Sequence, residues 1–306
     1  MPAVTLATYA LRLRRERSDE YLQLGSFDGT VSFADSFKLF ADDLKSTHSV
    51  DDARQSLQQT LQVHRKQGLV WGLLKAGDYG YAADLVNVDT LREAYKRRPQ
   101  DAELIPFYFA LKADTAAKTA ILIVQRYGAK GVFTEFINAF HSFFRQRHPE
   151  FTFDVKRLIP AEVIRHLLNG RLKSIELKTY EIPSDIATKV RAFGNLRDTG
   201  AVTIRVDAKR NSVLARPGWL DKIIDKKIKL VEVTESLGWD QDRIRIGVEW
   251  EGKKRMVDFH RPESIAPYID TAKDVKIGDD GHPVFDSIHA YAMKLLAELE
   301  QEVGTT

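Results

Sequence analysis

The chain contains no cysteine. That excludes disulfides, thiolate nucleophiles and cysteine-ligated zinc together, and it agrees with a reducing, cytoplasmic compartment. Long apolar runs are missing as well. Charges interrupt every window that approaches the roughly 20 residues a spanning helix needs, so no membrane span is expected. Met1 to Arg17 places its arginines after a short apolar stretch, which is not the order of a signal peptide.

Also absent are a G-x-x-x-x-G-K-S/T loop, a G-x-G-x-x-G turn after a strand, an H-E-x-x-H pair and a G-x-S-x-G elbow. Nucleotide, zinc-protease and serine-hydrolase readings therefore lose their support, and no cofactor is expected. His48, His64, His141, His148, His166, His260, His282 and His289 stand without metal-ligand spacing. Asp279-Asp280-Gly281-His282 reads as a solvated loop rather than a cation site.

The remaining pattern predicts an α+β fold. Residues 1–150 form an N-terminal antiparallel β-meander with packed helices. Residues 151–306 form a basic lobe of alternating strands and helices that ends in a long helix. Val4 to Leu13 and Tyr21 to Phe27 read as strands. Phe33, Phe37, Phe40 and Leu44 make a helical stripe that Ser32 can cap. Leu69 to Leu74 and Tyr79 to Val88 read as a hairpin across Ala76-Gly77-Asp78. Ile105 to Leu111 and Ala120 to Arg126, rich in β-branched and aromatic residues, are expected at the sheet centre. A helix over 131–147 carries Phe133, Phe136, Ile137, Phe140 and Phe144 on one face, a pattern of core packing.

In the second lobe, strands at Phe151–Leu158, Arg171–Tyr180 and Ala201–Asp207 alternate with helices at Pro160–Leu168, Ser184–Gly194 and Gly218–Leu230. Arg243–Trp250 and Arg255–Phe259 pair across Glu251-Gly252-Lys253. The final helix, Pro283 to Val303, buries Ile288, Ala292, Leu295, Leu299 and Val303.

Net charge is only +3, but Phe151–Trp250 holds 19 Lys+Arg against 14 Asp+Glu, whereas Glu251–Thr306 holds 7 against 11. Lys222, Lys226 and Lys229 fall at i, i+4, i+7 on one helix face, opposite Leu220, Ile223 and Ile224. Arg243 and Arg245 alternate with Ile244 and Ile246. Arg165, Arg171 and Lys173 flank the Asn169-Gly170 turn. Such outward-facing cations suit the phosphate backbone of duplex DNA with little sequence preference. The competing reading is ordinary solvated surface, since Asp221 and Asp225 dilute the lysine stripe. Two further alternatives are a scaffold without nucleic acid and a metal-dependent nuclease. The nuclease would use Asp242, Glu251 and Lys253, which imitate spaced carboxylates and a lysine, although Glu251 falls in a turn. Arg255 and His260 imitate an RNA-cleaving pair, on a segment that alternates as a strand.

Gly77-Asp-Tyr-Gly, Asp84-Leu-Val-Asn-Val-Asp, Ile105-Pro-Phe-Tyr-Phe, Gln125-Arg-Tyr-Gly and the Phe-rich helix resemble phrases of a protein group from bacterial mobile elements and phage-defence loci. The order of elements, above all the Leu158–Leu177 strand–helix–strand unit and the tyrosine-containing last helix, more distantly resembles the RexA-like exclusion proteins of phage lambda. The resemblance implies a non-enzymatic, cytoplasmic DNA-binding homodimer that acts in antiviral defence and signals abortive infection through a second protein. It carries over no catalytic residue.

Overall fold

The fold was read from a computed structural model, which describes residues 3–158, 160, 168–179, 201–218, 220–221, 243–250, 253–258, 269–271 and 274–303. It is mixed α+β, and the chain divides into two compact units: Met1–Leu158 together with Tyr268–Thr306, and Ile159–Pro267.

In the first unit the chain order is β1 (Val4–Arg15), α1 (Phe33–Thr47), β2 (Ser49–Asp51), β3 (Ser56–Lys66), β4 (Leu69–Asp78), β5 (Ala83–Val86), β6 (Glu93–Arg97), β7 (Ile105–Lys112), β8 (Ala120–Tyr127), β9 (Lys130–Gly131), α2 (Phe133–Arg147) and β10 (Phe151–Arg157). An antiparallel sheet runs β10-β1-β8-β7-β4-β3-β2, with β9 beside β8 and the short strand Ile269–Asp270 beside β1. The apolar strands β7 and β8 lie inside the sheet and offer buried apolar side chains to both faces.

One face is covered by α1 and α2. Ser32 caps α1 by accepting from the Asp35 backbone N–H. Phe33, Phe37 and Phe40 interlock with Phe136, Phe140 and Phe144, with ring centroids 5.0 Å apart for Phe37–Phe140 and 5.2 Å for Phe40–Phe140. Edge-to-face and tilted rings at this spacing gain beyond simple area burial. The opposite face carries the C-terminal helix α3 (Phe285–Val303), whose Ile288, Ala292, Leu295 and Leu299 pack with Val4, Leu6, Tyr108 and Ile123.

Several expectations are corrected. Tyr21–Phe27 is not a strand: apart from a single bridge from Tyr21 to Arg14, it is irregular chain. Leu24 and Gly25 donate to the Ala117 and Thr115 carbonyls, and Leu24 and Phe27 plug the aromatic layer. Ala76–Asp78 is not a turn, because β4 continues through it opposite Ser56–Gln58, and Ala76 also faces Ile105. Gly77 is there for close approach, since a Cβ would sit 1.7 Å from the Glu103 carbonyl oxygen. The hairpin partner of β4 is β3, reached through Gln67, which has φ +52°. Residues 83–97 instead form a separate two-stranded ribbon, β5 with β6.

The expected boundary at residue 150 also moves. β10 pairs along β1 from Arg15↔Phe151 to Tyr9↔Arg157, and α3 belongs to the first unit. Its apolar stripe needs an apolar partner, and the second face of β1, β7 and β8 supplies one. The expected helices at 160–168, 184–194 and 218–230 lie largely or wholly outside the described residues.

Candidate nucleic-acid interface

The second unit holds a four-stranded antiparallel sheet of β11 (Arg171–Thr179), β12 (Val202–Asp207), β13 (Arg243–Trp250) and β14 (Lys253–Asp258), in the order β12-β11-β13-β14. Alternation, interrupted once in β11 by a bulge at Lys173, divides its faces. Leu172, Ile246, Val248 and Val257 are buried on the apolar side. On the other side the register aligns Arg205, Glu176, Arg245 and Asp258 in one row across all four strands.

That row is a ladder of alternating sign. Arg205 lies 3.7 Å from Glu176, Arg245 lies 3.4 Å from Glu176, and the Arg245 Nε donates to Asp258 at 3.3 Å. Arg205 also donates to Asp207 at 2.8 Å, a bond that holds its guanidinium pKa above the ordinary value. Opposite charges on neighbouring strands favour this register. The four-residue row is formally neutral, with two arginines against Glu176 and Asp258; each arginine faces two carboxylates, and Glu176 is shared by both.

One end of the sheet is different. A bulge between Leu172 and Ser174 turns Lys173 toward the loop after β12, where its Nζ donates to the Ser212 carbonyl at 2.9 Å and meets Glu249 at 3.0 Å. The Ala208 and Leu214 N–H groups donate to the Lys173 and Leu172 carbonyls, so the loop is pinned at both ends. Arg216 donates to the Asn169 and Gly170 carbonyls and ties the neighbouring turn. Between these ties Lys209 and Arg210 are exposed, with no carboxylate of the described residues in ion-pair distance of either. Arg171 is exposed at the start of β11, 3.8 Å from Glu249.

The sequence-derived basic residues therefore separate. Lys222, Lys226, Lys229 and Arg165 lie outside the described residues. Arg243 stands in β13 opposite Lys178. Arg245 is held between Glu176 and Asp258. Arg171 and Lys173 come together with Lys209, Arg210 and Arg216, three cations that sequence reasoning missed. Their signal was the basic pair followed by Asn211 and Ser212 immediately after a strand. Asn211 adopts a left-handed φ of +62°, as a turn asparagine does.

Of the nuclease-like residues, Asp242, Glu251 and His260 lie outside the described residues, while Lys253 and Arg255 stand in β14. Among the described residues no three His, Asp or Glu side chains converge as a metal site, and no helix is long and apolar enough to cross a membrane. No family model matches the chain, and no curated protein matches it.

Proposed function

We propose that this chain binds DNA through its phosphate backbone at the loop-208–216 end of the four-stranded sheet, without catalysing a reaction and with little sequence preference. The observation that carries the reading is the exposure of Lys209 and Arg210, uncompensated by any described carboxylate, on a loop held in place by backbone hydrogen bonds. Pre-positioned cations of this kind replace condensed counterions on phosphates at little ordering cost. The resemblance described above adds the biological setting to the proposal: a homodimer in antiviral defence that signals abortive infection with a second protein.

The test is a salt titration of binding to duplex DNA, with and without Mg²⁺. Affinity should fall by about 0.9 log units per log unit of salt for each phosphate contact. Lys209→Glu with Arg210→Glu should lower both affinity and slope. Retention of both would place the contact elsewhere, with Lys222→Glu, Lys226→Glu and Lys229→Glu as the next set to examine. Failure of the wild-type chain to bind DNA at low salt would overturn the reading, and Mg²⁺-dependent cleavage would replace it with a nuclease.

A further inference from the structure

Among the described residues, the ribbon of β5 and β6 pairs with no strand of either larger sheet. A two-stranded ribbon alone in water is marginally stable, and each of its strands leaves one row of backbone groups unpaired. This ribbon is nevertheless fixed at both ends. At its base Arg97 is buried, donates to the Asp78 and Asp101 carbonyls, and stands with its guanidinium carbon 4.2 Å from the centre of the Tyr81 ring. The Tyr95 hydroxyl donates to the Asp101 carboxylate. At its tip the Asn87 side-chain oxygen accepts from the Asp89 and Thr90 N–H groups at 3.0 and 2.9 Å, and the Asn87 N–H donates to the Arg92 carbonyl.

Between these anchors the ribbon is bare. Of residues 83–96 all but Ala83 are exposed, and the apolar side chains Leu85, Val86, Val88 and Tyr95 are between 49% and 85% exposed. Single apolar residues are common on a soluble surface, but four on one preformed ribbon make a patch. A free strand edge beside such a patch is a template for another strand.

Charge decides which edge can take which strand. The bulge in the ribbon puts its extra residue, Ala94, on β6 and leaves β5 regular. Two identical strands that pair antiparallel about a twofold axis set one residue opposite itself and its neighbours on either side opposite each other. Centred on Tyr95, β6 would bring Arg92 opposite Arg98 of a second copy, and centred on Ala94 it would bring Arg92 opposite Lys96. Both arrangements repel. Centred on Leu85, β5 sets Asp84 opposite Val86, Ala83 opposite Asn87 and Ala82 opposite Val88, so no like charges meet. Because Leu85 already faces Tyr95 within the ribbon, this register joins Tyr95, Leu85, Leu85 and Tyr95 into one apolar row across four strands.

We propose that a second copy of this chain covers the β5 edge, giving a four-stranded antiparallel sheet about a twofold axis at Leu85. The proposal rests on the homodimer of the reading above and supplies its interface. A standard interface takes about 20–30 residues a side, more than the ribbon provides, so the dimer should dissociate in the micromolar range. The test is analytical ultracentrifugation of the full-length chain over a concentration series. Leu85→Asp puts two carboxylates face to face on the axis and should raise the dissociation constant about tenfold or more. The thermal midpoint of the single chain should be kept, since Leu85 is half exposed there. As the chain has no cysteine, Leu85→Cys introduces one thiol per copy, and directly opposed residues lie within disulfide reach. Copper-catalysed oxidation in air should therefore cross-link Leu85→Cys into a dimer and leave Thr90→Cys single. A monomeric wild-type chain would overturn this pairing and leave DNA binding to its own salt titration. A dimer unchanged by Leu85→Asp, or cross-linking no greater in Leu85→Cys than in Thr90→Cys, would overturn the pairing and leave the homodimer standing.

Discussion

The two units use opposite means of holding a sheet. In the first, apolar side chains cover both faces, and an interlocked phenylalanine layer fills the space beneath α1 and α2. In the second, the buried described residues are aliphatic or small save for Asp258, which ends the Arg205–Glu176–Arg245–Asp258 row on the far face of the sheet. Burial of rings stabilises in proportion to area and shape, whereas ion pairs whose arginines remain partly exposed contribute little net energy and mainly select the register. The difference bears on the proposed function. An arginine inside the ladder is already matched, so a basic sheet face is a poorer anion site than the small loop at its end.

Four measurements can break or sharpen that comparison. Phe140→Ala removes a fully buried ring with centroids 5.0–5.8 Å from those of Phe33, Phe37, Phe40, Phe144 and Phe153. It should cost about 3–5 kcal/mol in urea unfolding. An unchanged midpoint would show that the aromatic layer does not hold the first unit. Ile246→Ala, at a fully buried position of β13, should cost about 2–5 kcal/mol. Its loss of hydrogen-exchange protection should be confined to β11–β14, and equal loss in β7 and β8 would mean that the two units open as one.

Glu176→Gln removes the carboxylate shared by Arg205 and Arg245. The arginines are partly exposed, so after solvent screening the stability cost should be about 1 kcal/mol or less. Each arginine keeps one carboxylate, Asp207 or Asp258, so this partial unmasking should instead raise the salt slope of DNA binding slightly, and an unchanged slope would show that Glu176 does not mask them. The smallest effect concerns His289, whose Nδ1 lies 2.8 Å from the Tyr108 hydroxyl. Burial holds its pKa below the ordinary 6.5. The fold therefore favours the neutral ring, and the unfolded chain takes up the proton first as pH falls. Stability from this group is complete above about pH 6.5 and declines as pH drops through the depressed pKa. His289→Gln should flatten the urea midpoint between pH 7.5 and 5.5, and an identical profile in the variant would assign the dependence to other groups.

Much of the first unit was legible because its signals are local. The stripe Phe33, Phe37, Phe40, Leu44, the stripe Phe136, Phe140, Phe144 and the apolar runs of β7 and β8 each announce an element within one short window. The polar strand β3 was not legible, since Gln58, Gln59, Gln62 and His64 obscure its alternation and a bulge at Leu61 interrupts it. In the candidate site, the outward placement of Arg245 opposite the buried Ile246 followed from alternation alone. That Arg245 is matched and Lys209 is not had no local signal.

By itself, then, the sequence determined element type, the apolar faces and the absence of cysteine chemistry, because periodicity and composition act over a few residues. Only the tertiary structure decided that α3 returns to the first unit and that Gly77 yields to the Glu103 carbonyl. It also decided that Glu176 sits between two arginines from different strands. These outcomes depend on which distant segments become neighbours and in what register. A shift of one residue between β11 and β13 would reverse the faces and leave every local pattern unchanged.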